Sequence, residues 1–122
     1  MGVPDEFTRL VLDLLAPLGP VSARRMFGAT GLFHGGTMFG LIVQDELFFK
    51  VGDANRADYE TAGAAPFSYA TRHGTHTIAA YWSCPPELLD DPDELRRWGR
   101  KALSASRAAA RIKPKPRRRT RG

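Results

Sequence analysis

Arg96, Arg100, Arg107 and Arg111 recur at intervals that place them along one side of a helix, with Arg97 and Lys101 beside them. Lys113, Lys115, Arg117, Arg118, Arg119 and Arg121 follow within the last ten residues. Guanidinium and ammonium groups in such density suit phosphate oxygens, which they meet by charge and by hydrogen bonds. The six cations of the final segment could neutralise about six phosphates, for a salt slope of roughly −5 on duplex DNA. Such contacts supply affinity and little choice of sequence. Part of the pattern has a plainer reading: cations near a helix C-terminus stabilise it, and a charged face keeps a protein in solution. That reading covers the helix better than it covers the Arg117-Arg118-Arg119 cluster.

The second chemical candidate is "RRMFGATGLFHGGTMFG", Arg24 to Gly40. A phosphate loop needs backbone N–H groups converging on a helix N-terminus, in spacings such as Gly-x-Gly-x-x-Gly or Gly-x-x-x-x-Gly-Lys. Gly28, Gly31, Gly35, Gly36 and Gly40 match neither, and strand-forming residues follow them. They read as sheet chemistry: a bulge or bend at Gly28 and Gly31, a hairpin at Gly35-Gly36, and at Gly40 a close approach by another backbone or ring. His73 and His76 are three apart without a cysteine or carboxylate cluster, and on a strand they would face opposite ways, so no metal site is expected. His34, beside the Gly-Gly turn, reads as exposed. Cys84, the single cysteine, stands before two prolines and reads as a small packed side chain. No base, orienting acid and oxyanion hole come together, so no catalytic residue and no cofactor is assigned.

These groups need a scaffold. Pro4 to Leu18 carries Phe7, Leu10, Val11, Leu14, Leu15 and Leu18 as one apolar stripe of a helix, stopped by Gly19-Pro20. Val21 to Val51 reads as strands, the first closed by Met26 and Phe27, then a short second piece at Gly31–His34, then Met38–Val43 and Leu47–Val51. Asp53 to Ala62 reads as a helix capped by Asp53. Phe67–Thr71 and His76–Trp82 flank a turn at Arg72-His73-Gly74, and Ser83 to Glu87 reads as an extended loop. The last helix is the best marked: Asp91-Pro92-Asp93-Glu94 supplies an N-cap, a proline at the first position and an acid at the third. Its expected seam is Leu95, Trp98, Ala102, Ala105, Ala109 and Ile112. The order α-β-β-β-α-β-β-α implies an α+β fold, two-layered, with an antiparallel sheet of about five strands and the helices on one face. The domain is expected over 1–112, and the 113–122 segment, which has little apolar surface to bury, is expected to be disordered when free.

With 122 residues, 43% hydrophobic and 25% charged, the chain suits one globular domain. No apolar run would span a membrane and no basic leader opens it, so a cytoplasmic location is expected. The formal charge of +5 conceals a split. Met1 to Glu94 holds six basic residues and all 13 acids, a balance of −7, whereas Leu95 to Gly122 holds 12 basic residues and no acid. That asymmetry suggests a polyanion partner for the basic end.

"RRMFGATGLF", "MFGLIVQDELFFKVGDANRADY", "PFSYA" and "AYWSCPPELLDDPDELRRWGRKAL", in this order, resemble the N-terminal domain of the TfoX/Sxy family from about Phe7 to Ala110. The resemblance implies a two-layer α+β domain with a regulatory or interaction role linked to natural competence, and neither enzyme chemistry nor a cofactor. Arg25, Met26, Phe27, Gly28, Lys50 and Tyr81 correspond to family signature positions. The resulting expectation is a regulatory protein acting in transcription, with the sheet domain recognising a protein and the basic end holding nucleic acid. The alternative is a small anionic-ligand binder or enzyme using a pocket near Arg25, Lys50 and Tyr81. The oligomeric state is left open.

Overall fold

Two-residue turns build most of the sheet in the computed structural model, which describes residues 5–26 and 28–112. Phe27 and the 113–122 segment, with its expected disorder, lie outside the described residues. β1 (Val21–Met26) pairs with β2 (Ala29–His34), β2 with β3 (Thr37–Val43), and β3 with β4 (Glu46–Lys50). β6 (Gly74–Ser83) then lies between β4 and β5 (Pro66–Thr71). All neighbours are antiparallel, in the order β1-β2-β3-β4-β6-β5. The Gly35-Gly36 hairpin behaves as read: φ of 58° and 82° give the left-handed pair that matches the twist of the flanking strands. Gln44 and Asp45 make the next turn with φ of 51° and 62°, without glycine.

The sheet has six strands where the sequence suggested about five. Gly28, at φ 78°, reverses the chain so sharply that Met26 pairs with Ala29, and the short piece expected at Gly31–His34 is a full strand from Ala29, paired along its length with the first. Gly31 is neither bend nor bulge. It sits inside β2, where a Cβ would come within 2.9 Å of the Phe33 ring. The bulge falls instead between β2 and β3. Leu32 pairs with Gly40 and Phe33 with Met38, which leaves Phe39 as the extra residue. Gly40 makes room first for the Leu32 side chain, 2.9 Å from where a Cβ would sit, in place of the expected ring, and a backbone atom, the Phe48 carbonyl, follows at 3.4 Å.

Helices cover one face of this sheet. α1 (Glu6–Leu15) starts two residues later than Pro4, capped by Asp5, whose carboxylate accepts from the Thr8 N–H at 2.8 Å. Ala16–Leu18 is a separate 3-10 turn with Pro17 inside it. α2 (Arg56–Thr61) is shorter than expected, and Asp53 does not cap it. Buried Asn55 braces the turn instead, accepting from Gly52 N–H at 2.7 Å and donating to the Lys50 carbonyl at 3.1 Å. The expected extended loop holds a 3-10 turn at Pro86–Asp90. α3 (Pro92–Ile112) begins where its cap residues place it, with Asp91 accepting from Glu94 N–H.

The core lies between α1, α3 and the covered sheet face, around Val11, Leu15, Leu32, Phe39, Phe49 and Leu95. Leu15 and Leu18 pack so closely on Gly99 that a Cβ there would meet them at 3.2 and 3.1 Å. The α3 seam follows the expected Leu95, Trp98 and Ala102, then departs. Leu103 and Ser106 are buried, whereas Ala105 is half-buried and Ala109 exposed. The Ser106 hydroxyl donates to the Met38 carbonyl at 2.8 Å, beside the bulge.

Candidate nucleic-acid interface

The basic residues of α3 divide by what they touch. Arg96 is half-buried and structural: its Nε donates to the Leu14 carbonyl at 2.6 Å, near the end of α1, and its guanidinium is 3.8 Å from Asp93. Arg97 forms a two-pronged pair with Glu94. Lys101 reaches across to Asp58 on α2 at 2.7 Å. Arg100 and Arg107 are exposed and meet no carboxylate among the described residues. The side chain of Arg111, and Lys113, Lys115, Arg117, Arg118, Arg119 and Arg121, lie outside the described residues. Of the candidate interface, the structure therefore places Arg100 and Arg107 on one open stripe and withdraws Arg96 into the fold.

The Glu94 cluster carries a pH signature. Bonds from Arg97, then from the Trp98 indole N–H at 3.1 Å, pull its carboxyl down to about 2 from 4.5. A depressed carboxylate stabilises the fold fully above its unfolded value, and that stabilisation is lost as pH falls through the folded value. Glu94→Gln should therefore flatten the acid limb of the stability curve between about pH 5 and pH 2. Denaturant melts across that range check it; an unchanged limb would place the acid sensitivity elsewhere.

His34 departs from its sequence reading, being half-buried. Its Nε2 lies 3.1 Å from the Leu18 carbonyl, and its Nδ1 lies 3.1 Å from an Arg107 nitrogen. A carbonyl can only accept and a guanidinium can only donate. The tautomer that carries its proton on Nε2 satisfies both contacts. Gly19 makes room for it, since a Cβ there would sit 2.7 Å from Nε2. Ser104 lies between Arg100 and Arg107 on the same helical stripe, and with His34 and Leu18 these residues line a recess of about 400 Å³. Sequence spacing could have flagged Ser104, four residues after Arg100 and three before Arg107. Nothing local marks His34, which pairs with a residue 73 positions away.

Residues 13–106 match the model of the TfoX N-terminal domain. The chain belongs to that family. No curated protein matches the sequence. Arg25, Lys50 and Tyr81, expected as signature positions, do not form one pocket. Lys50 and Tyr81 are cross-strand partners, with the Lys50 ammonium 5.4 Å from the Tyr81 ring centre. Arg25 is on β1, separated from β4 by two strands, in register with Thr30, Ile42 and Leu47. Ile42 and Leu47 belong to the core, so Arg25 projects on the helix side, where its charge acts on Asp5. Lys50 alternates with buried Phe49 and projects from the opposite face. The expected pocket near Arg25, Lys50 and Tyr81 is therefore not assembled. Met26 and Gly28 end and turn β1, and Phe27 lies outside the described residues.

The uncovered sheet face of this TfoX N-terminal domain is aromatic. Phe48 meets Phe67 edge-on at 4.9 Å, and Phe67, Tyr69 and His76 continue as a stacked row along the β5–β6 ribbon. Tyr69 and Ile78 are exposed there. His73 sits in the turn and His76 against Tyr69, and no metal-ligating group of three or more occurs among the described residues. Cys84 is buried, and burial, helped by the Glu87 charge, pushes its thiol up to about 12. It is not a thiolate at neutral pH. No helix among the described residues is long and apolar enough to cross a membrane.

Tyr59 has the one buried side-chain oxygen or nitrogen without a hydrogen-bond partner among the described residues. Burial first, then the neighbouring Cys84 and Asp58, drives its phenol above the ordinary range. An orphaned buried hydroxyl is a cost to the fold. Tyr59→Phe should leave the fold unharmed or stabilise it by about 1 kcal/mol. A urea melt checks this, and a loss above about 1 kcal/mol would reveal a partner for the hydroxyl.

Proposed function

We propose that this TfoX N-terminal domain protein acts by binding, in transcription regulation. Its basic C-terminal end holds nucleic acid through phosphate contacts, and its open aromatic sheet face meets a protein. One observation carries the reading: α3 matches Arg97 and Lys101 with carboxylates yet leaves Arg100 and Arg107, on the stripe leading to the basic segment, without one among the described residues. The 12 basic residues and absence of acids after Glu94 extend that stripe in sequence. The exposed Tyr69 and Ile78 support the protein-contact half, because exposed apolar rows favour interfaces.

Fluorescence anisotropy with labelled duplex DNA tests it, in the full chain at several salt concentrations. Reversing Arg117, Arg118 and Arg119 to glutamate should weaken binding equally on all sequences and make the salt slope shallower by roughly 3. A loss confined to one sequence, or no binding even at low salt, would contradict it.

A further inference from the structure

We propose that the recess between α3, the Ala16–Leu18 turn and the end of β2 is a binding site for a terminal phosphate, the dianion of a phosphate monoester. The site deepens the nucleic-acid reading without needing duplex DNA, because its ligand is either a free nucleotide or the 5′-phosphorylated end of a strand.

Charge is the first argument. Arg100 and Arg107 bring two positive charges to the recess, and neither meets a carboxylate among the described residues. A monoester dianion balances both, whereas a backbone diester carries a single negative charge. Two guanidinium groups also offer paired N–H donors matched to phosphate oxygens.

Placement is the second. Seven residues on a helix separate Arg100 and Arg107 by roughly 10 Å along its axis. Both line the recess, with Ser104 between them on the same helical stripe, about one turn from each. His34 meets Arg107 through Nδ1 at 3.1 Å, and an imidazole brings no negative charge, so it fixes the guanidinium without cancelling its charge. The same ring takes up the Leu18 carbonyl, which would otherwise face an incoming anion with its lone pairs. Gly19 keeps the space that this arrangement needs.

Shape is the third. The recess holds about 400 Å³, within the usual size of small-ligand sites, and Pro17, Leu18 and Leu103 give it an apolar wall. A phosphodiester track on a convex helix would need no such wall. A phosphate carried on a sugar and base can use one.

Thermal melting of the full chain in inorganic phosphate, against potassium chloride of equal ionic strength, is the first arm. At about ten times its dissociation constant phosphate should raise the midpoint by about 5 °C. Arg100→Gln and Arg107→Gln should each remove most of that rise. Arg56→Gln, which deletes a half-exposed cation paired with Asp53 on another part of the fold, should keep it. No rise, or an equal rise in all three variants, overturns the site.

The second arm compares AMP with adenosine, and a short single strand bearing a 5′-phosphate with its 5′-hydroxyl twin. At least tenfold tighter binding of AMP identifies a nucleotide site, and the same preference confined to the strand identifies a strand end. No advantage for either phosphorylated partner overturns the proposal. The Arg117–Arg119 reversal separates the two readings: it should weaken duplex binding and leave the phosphate shift intact.

Discussion

Trp98→Ala should lower the stability of the domain by about 3–5 kcal/mol in a urea melt. The indole is 7% exposed and belongs to the core between α3 and the sheet. It meets the Tyr59 ring edge-on at 4.6 Å, so its removal also strips one side from the largest fully buried side chain. Edge-on pairs of this kind contribute about 0.5–1.5 kcal/mol beyond the buried area. The indole N–H further donates to Glu94 at 3.1 Å, adding to the two-pronged Arg97 contact that holds this carboxylate ionised in acid. Trp98→Phe keeps a ring in the core and loses that bond, so it should cost less than the alanine and share the altered acid limb of Glu94→Gln. A loss under about 1 kcal/mol for Trp98→Ala would mean that the ring does not fill the core as described.

Trp98 also shows what sequence made legible. The start of α3, its cap, its proline and its first apolar residues are set within about one turn, where local chemistry decides, and they appear where Asp91-Pro92-Asp93-Glu94 put them. The Gly35-Gly36 hairpin is local for the same reason. The second half of the α3 seam is not. Alanines repeat there at helical spacing, but which face is buried depends on the bulge in β3, and the Ser106 bond to Met38 turns that face toward the sheet. Asn55 displaced Asp53 as the brace of the α2 entry because it can both accept and donate, bridging Gly52 and Lys50. A carboxylate can only accept.

The candidate interface was half legible for a related reason. Spacing alone places Arg96, Arg100, Arg107 and Arg111 on one side of a helix. It cannot say that Arg96 is used by α1, 82 residues earlier, or that His34 arrives from a hairpin to hold Arg107. Charge density in the sequence pointed to α3 as the candidate element. The fold then decided which of its cations are left for a ligand, and packing withdrew the one nearest the core. Arg25, Lys50 and Tyr81 illustrate the converse: residues that spacing left unplaced are assigned by strand register to two faces of one sheet.

Phe39→Ala should cost about 3–5 kcal/mol as well, although Phe39 occupies an irregular position that alternation alone would turn outward. Gly40 pairs with Leu32 and shares the core-facing side with Phe49. In a regular strand Phe39 would then face the open side of the sheet. The bulge removes that alternation, and the ring is fully buried, stacked on Phe49 with centroids 6.3 Å apart. Gly40 makes this possible, since a Cβ there would press within 2.9 Å of the Leu32 side chain. Alanine at position 39 therefore leaves a ring-sized void facing α3, with no apolar neighbour free to fill it without moving the bulge. Phe39→Leu should cost about 1–2 kcal/mol, because most of the volume is kept. Denaturant melts measure both. Amide exchange at Leu32, Met38 and Gly40 adds the decisive comparison: if the bulge is held by the buried ring, these amides should lose protection in Phe39→Ala beyond the global loss. A small cost with unchanged exchange would mean that the bulge is fixed by Gly40 and the Ser106 bond alone, and that the ring merely occupies space the backbone had already made.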